Sequence, residues 1–233
     1  MPTTHQPVAI VTGASSGIGR AVTEQLSTLG WRLVVCARDA AKLNSIATTP
    51  NVRIVAGDVG KPEISATLVN SAIDAFGSLD AIVCNAGTAP LMPIAETTDE
   101  VFAQCFDINV MGTARLIREC WPIFVQQHHG RIVCTSSMAS VDPFPGFFAY
   151  AASKAAVNSL VRSCMNEGRE HGIEAYSVAP GAVDTPMLRS LFDETMLPPS
   201  HCLTADAVAN VIVGCVTGQR AHDAGTPILL SAN

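Results

Sequence analysis

Short apolar runs alternate along this chain with longer segments whose apolar positions repeat at helical spacing. VAIVT (8–12), RLVVCA (32–37), VRIVAGD (52–58), GRIVCTSS (130–137), IEAYSVAPG (173–181) and PILLS (227–231) read as strands, and LDAIVCNAG (79–87) as a strand and its turn. Helices are expected between them over about 17–28, 39–47, 61–76, 99–127, 149–170 and 204–217. The strands are unbroken apolar runs rather than polar–apolar alternations, which marks strands covered on both faces of a parallel sheet. Strands alternating with helices predict a doubly wound α/β sheet of about seven strands with helices on both faces. No repeat, low-complexity tract or composition break marks a linker, so residues 1–233 read as one domain. The least regular stretch is 186–201, carrying Met187, Leu191, Phe192, Met196, Leu197 and the Pro198–Pro199 pair. It reads as a surface loop or a flap over a site.

The turn after the first strand, TGASSGIG (12–19), concentrates glycine where glycine weakens regular structure. The first amides of a helix are unpaired and its dipole is positive there, so an anion can settle if no side chain obstructs it. Gly13 supplies the turn, Gly17 a bare approach and Gly19 close packing of helix on strand. The spacing is GxxxGxG rather than the commoner GxGxxG, and alone it is a weak signal.

Composition narrows the field. Hydrophobic residues make up 48% and charged residues 15%, enough for a sizeable core. The net charge of −6 argues against a nucleic-acid partner. No apolar run is long enough to span a membrane, and the polar start MPTTHQP has no secretory pattern. The eight cysteines form no CxxC pair, and several sit inside apolar runs. They read as reduced core residues of a cytoplasmic protein, with neither a disulfide framework nor a metal site expected.

Further stretches join the glycine turn. NAG (85–87) follows the fourth strand, Asn109 stands in INVMGT, Ser137 ends the fifth strand, YAASK (150–154) carries Tyr150 and Lys154, and PGAVDTPM (180–187) follows the sixth strand. Each is modest alone; a tyrosine on a helix is usually core, and a serine after a strand usually a turn residue. Together, in this order, they resemble the short-chain dehydrogenase/reductase superfamily, in its compact single-domain branch, over nearly the whole chain to about residue 217.

The resemblance implies a Rossmann-type dinucleotide-binding and catalytic domain and an oxidoreductase acting on CH–OH or carbonyl groups. Tyr150 gives a proton to the substrate oxygen or takes one back. Lys154, four residues on along one helix face, is expected to lower the tyrosine's pKa and to hold the nicotinamide ribose. Ser137 steadies the carbonyl oxygen, and Asn109 holds a water that links Lys154 to solvent. Gly13, Ser15, Ser16, Gly17, Ile18 and Gly19 would cradle the dinucleotide. Asp58, with Val59, matches the adenine position, its bland alternative being a cap at the start of the next helix. Asn85, Ala86 and Gly87 match the turn beside the adenine ribose; Cys84 stands where a second Asn is common. Pro180, Gly181, Val183 and Thr185 match the nicotinamide side. The family usually forms homodimers or homotetramers through its long helices. PILLSAN at the C-terminus and Tyr176 in place of a commoner Asn depart from the pattern.

An acid roughly 20 residues past the glycines usually meets the adenosine ribose, or an arginine a 2′-phosphate. Here the strand ends at Ala37, and Arg38 and Asp39 follow. Asp39 reads as a helix cap, which leaves Arg38 for a phosphate, with Ser15 beside it, and predicts NADP(H). Pro143, Phe144, Phe147, Phe148, Met187, Leu188, Leu191 and Phe192, with 88–92, predict an apolar substrate space and a small ketone or aldehyde. Alternatives left open are a 3-oxoacyl-(acyl-carrier-protein) reductase, an NAD-dependent alcohol dehydrogenase and a non-catalytic dinucleotide sensor on the same fold.

Overall fold

The computed structural model describes residues 6–46 and 49–232. Seven strands form one parallel sheet: β1 Val8–Thr12, β2 Arg32–Ala37, β3 Val52–Ala56, β4 Ala81–Cys84, β5 Gly130–Thr135, β6 Ile173–Pro180 and β7 Pro227–Leu230. Their order is β3-β2-β1-β4-β5-β6-β7. The helices are α1 Gly17–Thr28, α2 Ala40–Asn44, α3 Pro62–Phe76, α4 Asp99–Phe106, α5 Gly112–Gln127, α6 Phe148–Gly168, α7 Pro186–Arg189 and α8 Ala205–Val216. Ala47, the last residue expected in the second helix, lies outside the described residues.

Both sheet faces are covered, which is why the strands carry no polar alternation. Ala9, Val11, Leu33 and Val35 pack under Val22, Leu26, Ile212 and Val216 on the α1/α8 side. Val8, Ile10, Ile82 and Ile132 pack under Leu68, Leu116 and Val161 on the α3/α5/α6 side. The chain winds outward from β1 in one direction and from β4 in the other. That switch opens a crevice at the strands' C-terminal ends, where ligands of open α/β sheets bind.

The structure corrects the expected elements at that crevice. β3 and β5 stop at Ala56 and Thr135, short of the expected 58 and 137, while β4 ends at Cys84 with NAG as its turn, as expected. The residues beyond peel away from the sheet and become loops of the cleft. The single helix expected over 99–127 is interrupted by a π turn, Asp107–Met111. Its cause is local: the Asn109 side chain exchanges hydrogen bonds with the Thr88 backbone, and a Cβ on Gly112 would stand 2.8 Å from the Val59 carbonyl. Widening one turn lets the helix meet both neighbours, a common use of a π bulge.

The two departures at the C-terminal side have structural explanations. Tyr176 is fully buried on the α1/α8 side and donates its hydroxyl to Glu174 (3.1 Å), which also pairs with Arg131 (2.8 Å). PILL forms the edge strand β7 beside β6, with Pro227 at its first residue, where a missing amide costs little.

The turn after β1 packs backbone on backbone. A Cβ on Gly19 would stand 2.3 Å from the Gly13 carbonyl oxygen and 2.5 Å from the Asn85 amide nitrogen. Gly30, by contrast, has φ +81° and open space around it. Gly19→Ala should therefore cost at least about 3 kcal/mol, and Gly30→Ala only about 1 kcal/mol. Urea unfolding of both variants checks this; equal costs would remove the close approach as the reason for Gly19.

Candidate active site

The crevice is built from six strand ends, three of them held together by short polar contacts. Thr12 Oγ1 accepts the amides of Asn85 (3.0 Å) and Ala86 (3.1 Å), and donates to the Val83 carbonyl (3.3 Å). The Asn85 side chain donates to the Thr12 carbonyl (3.2 Å) and accepts from Thr135 (3.2 Å). The ends of β1, β4 and β5 thus move as one piece. Gly13, with φ +68°, lies against Asn85 and Ala86. Ser16 precedes α1 without a side-chain cap, so no side chain of that residue covers the first amides of the helix. Gly17 begins α1 beneath the Thr185 methyl group, and Ile18 packs into the core beside it. Ser15 is half-buried in the same turn.

The next strand ends supply the rest of the groove. Asp39 caps α2, accepting the Lys42 amide at 3.0 Å. Arg38 is exposed, and among the described residues its guanidinium has no hydrogen-bond or ion-pair partner. Asp58 does not cap α3, whose cap position is Lys61; it folds back onto the Gly60 amide (2.9 Å) in an Asx turn, with Val59 following. Across the crevice, Pro180 ends β6, the Gly181 amide bonds Leu230 (2.8 Å), and Val183 is buried. Thr185 caps α7, accepting the Leu188 amide at 3.3 Å.

Lys154, Ser137 and Asn109 are all buried. Lys154 Nζ donates to the Thr135 carbonyl at 2.7 Å and stands 5.7 Å from the centre of the Tyr150 ring. Ser137 is the polar side chain that acts on the Tyr150 hydroxyl, drawing its pKa down. The Ala139 amide donates to Ser137 Oγ (3.1 Å), which leaves the serine hydroxyl's own proton to point elsewhere. Asn109 gives its Nδ2 protons to the Thr88 carbonyl (2.9 Å) and Ser153 Oγ (2.9 Å), and its Oδ1 accepts the Thr88 amide (2.8 Å). Its side chain is thereby committed to the loop after β4. Ser153 in turn donates to the Tyr150 carbonyl (2.7 Å). Sequence reasoning missed Thr12, Thr135 and Ser153 as supports. Only Ser153 carried a signal, three residues after Tyr150 on the same helix face.

The electrostatics differ from expectation. Burial pushes the Tyr150 hydroxyl above its ordinary value, Ser137 opposing it. Lys154 is not among the groups that move it, because the ammonium is turned to the Thr135 carbonyl. The expected lowering by Lys154 is therefore not produced by the chain's own groups. Lys154 itself is lowered to about 8 by burial, with Cys105 and Cys134 opposing.

Aromatic rings wall the open side of Tyr150. Phe147 lies 5.1 Å from it, Phe144 6.1 Å from Phe147, and Phe192 meets Phe144 edge-on at 5.8 Å. Phe148, expected with them, turns instead to Phe102 (5.7 Å). The 186–201 segment is the far wall. Arg189 ties it down, donating to Asp184 (2.7 Å) and to the Leu197 carbonyl (2.7 Å).

The lowered Lys154 carries a stability consequence. The unfolded chain binds the lysine proton up to about 10.5 and the folded one only up to about 8, so unfolding free energy rises with pH across that window. Lys154→Met removes this dependence. The stability of the variant relative to the parent should fall by about 2.5 kcal/mol from about pH 7 to about pH 10. Urea unfolding at the two pH values measures it, and a pH-independent difference would refute the buried-charge account.

A family model described as short chain dehydrogenase matches residues 7–195. An uncharacterized oxidoreductase of Listeria monocytogenes is 34% identical over 223 residues, covering 90% of each chain. A solved structure described as a short chain dehydrogenase/reductase family protein superposes with a TM-score of 0.89 at 30% identity, over 97% of this chain and 96% of that one. A 3-ketoacyl-(acyl-carrier-protein) reductase from Brucella melitensis, complexed with NADH, superposes at 0.91 with 24% identity over 97% of each chain, and shows the shared fold. The glycine turn under α1, the Ser137–Tyr150 pair and the buried Lys154 thus sit on a chain that belongs to the short-chain dehydrogenase/reductase family of oxidoreductases.

Proposed function

We propose that the protein is an NADPH-dependent reductase of small, uncharged apolar or aromatic ketones and aldehydes, working reversibly through Ser137, Tyr150, Lys154 and Asn109. The observation that carries this reading is Tyr150, with Ser137 as the polar side chain acting on its hydroxyl, at the floor of a cleft whose open side is aromatic. No Arg or Lys of the cleft wall offers itself to an anionic substrate, since Arg189 is engaged with Asp184 and Leu197.

The crevice fits a dinucleotide. The glycines keep Cβ atoms out of the space before α1, where an anion gains from unpaired amides. We assign the pyrophosphate to the turn Gly13–Gly19, the adenine side to Asp58, Val59 and Asn85–Gly87, and the nicotinamide side to Pro180, Gly181, Val183 and Thr185. Asp39 is spent on its helix, whereas Arg38 is free to fork onto a 2′-phosphate, with Ser15 close in the turn.

When bound, the reduced nicotinamide supplies a hydride to the carbonyl carbon. The chain's residues handle the oxygen. Ser137 points its hydroxyl proton at the oxygen as charge develops there. Tyr150 gives up the proton on Oη, and its raised pKa keeps that proton in place until the oxygen becomes basic enough to take it. Lys154, four residues along α6 from Tyr150 and bonded to the Thr135 carbonyl, holds the nicotinamide ribose. On the family pattern Asn109 holds the water that links Lys154 to solvent; its side chain, locked on Thr88, keeps the loop above Lys154 in place.

The wider reading is a single-domain cytoplasmic protein, its buried, unpaired cysteines suiting a reducing compartment. An apolar groove between α5 and α6, lined by Ile117, Trp121, Pro122 and Leu160, has Arg118 and Glu167 at its margins. Opposite charges beside an apolar strip suit a self-complementary contact, so a homodimer or homotetramer forms there.

Cofactor titration followed by fluorescence, with a carbonyl panel, tests the activity. NADPH should bind more tightly than NADH, and uncharged ketones should turn over faster than carboxylated ones. Arg38→Ala should weaken NADPH at least about tenfold and leave NADH nearly unmoved. Equal losses for the two cofactors, or a preference for anionic substrates, would overturn the reading. Sedimentation of the 24.4 kDa chain should show a dimer or larger at micromolar concentration, and a monomer would remove the groove's role.

A further inference from the structure

Ser177 and Asn158 are polar residues where the pattern calls for apolar ones. Ser177 is wholly buried in β6 and Asn158 is 6% exposed on α6. Each would cost free energy there if unpaired. They pair with each other, Ser177 Oγ donating to Asn158 Oδ1. The other end of the amide donates to Ser140 Oγ at 2.9 Å, and that hydroxyl donates to the Ser137 carbonyl at 2.6 Å. The Ser140 amide reaches the same carbonyl at 2.9 Å. A directed chain therefore runs from the middle of the sheet to the backbone of Ser137: β6, α6, the short turn Met138–Ser140, then Ser137.

The chain explains how Ser137 is held. Ser137 sits just past the end of β5, with φ −161°, beyond the last ladder pairing Thr135 with Val178. Sheet pairing alone does not place it. The turn that follows is anchored on its carbonyl by both the amide and the hydroxyl of Ser140, and the Ala139 amide of that turn fixes one lone pair of Ser137 Oγ. Rotating Ser140 away would free the turn and release the hydroxyl that faces Tyr150. Asn158 prevents this, because its amide group is pinned from behind by Ser177 and has one orientation that satisfies both neighbours.

We propose that Asn158 and Ser140 are positioning residues for the reaction: through a buried hydrogen-bond chain anchored at Ser177 they set the direction of the Ser137 hydroxyl toward the Tyr150 hydroxyl and the substrate oxygen. This rests on the reading of Ser137 and Tyr150 as the groups that handle that oxygen. Neither Asn158 nor Ser140 touches the reacting atoms. Their effect falls on the chemical step and passes entirely through Ser137.

Steady-state kinetics of Ser140→Ala and Asn158→Leu, alone and combined with Ser137→Ala, test the proposal. Each single variant should lower kcat about tenfold, with KM for NADPH within about twofold of the parent. Ser140→Thr, which keeps the hydroxyl, should restore most of the loss. In the Ser137→Ala background neither change should lower kcat further, since the group they orient is gone. A merely structural role would act equally in both backgrounds. If Asn158→Leu does not fold, Ser140→Ala and Ser140→Thr decide alone. Unchanged kcat in folded Ser140→Ala, or a full further loss in the Ser137→Ala background, overturns the proposal. Full activity of Ser137→Ala by itself overturns instead the role given to Ser137, a distinct outcome.

Discussion

The molecule depends on one close approach: the backbone of the first turn lying directly on the loop after β4. Gly13 and Gly19 leave room for Asn85 and Ala86, and Thr12 and Asn85 stitch the contact with hydrogen bonds. A single methyl group there has nowhere to go. The contact joins β1, β4 and β5 at the switch of winding direction, so the crevice is rigid before any ligand arrives. It also keeps side chains clear of the N-terminus of α1. Stability and the capacity to receive an anion thus come from the same absence of Cβ atoms, and selection for either would retain both.

A second layer of buried polar contacts refines that frame. Lys154 is drawn to the Thr135 carbonyl, Asn109 to Thr88 and Ser153, and Ser140 to Ser137. These bonds tie residues of the candidate site to a strand end, to the loop after β4, to α6 and to the turn after β5. Burying an ammonium is unfavourable, and the depressed Lys154 pKa is the direct sign of that cost. The Tyr150 proton is held more firmly than in water for the same reason.

The substrate side obeys different physics. Phe144, Phe147 and Phe192 contact one another at the edges and faces of their rings, and Phe144 remains 56% exposed. Exposed aromatic surface clustered at a cleft is characteristic of interaction sites. The wall that carries Phe192 is a loop rather than a strand, tied by the Arg189 bonds, so specificity is separable from the frame that holds the dinucleotide.

Much of this was legible before any coordinates. Unbroken apolar runs required a sheet covered on both sides, and the spacing of the glycine turn, Ser137, Tyr150 and Lys154 marked the site, because local pattern and chain order survive folding unchanged. Asp39 as a cap was likewise local chemistry, readable from its place before a helix. What pattern could not supply was where strands give way to loops at 56 and 135, the π turn at Asn109, or the turning of Lys154 toward Thr135. Nor could it show Ser177, Asn158 and Ser140 as one chain, since those residues lie far apart in sequence and look like misplaced polar groups until they meet. Sequence by itself determined the layering and pointed to the residues of the candidate site through local periodicity and order. Tertiary structure alone decided their directions, hydrogen-bond partners and proton affinities, because these depend on which distant backbone atoms are close enough to bond and on how much water burial removes.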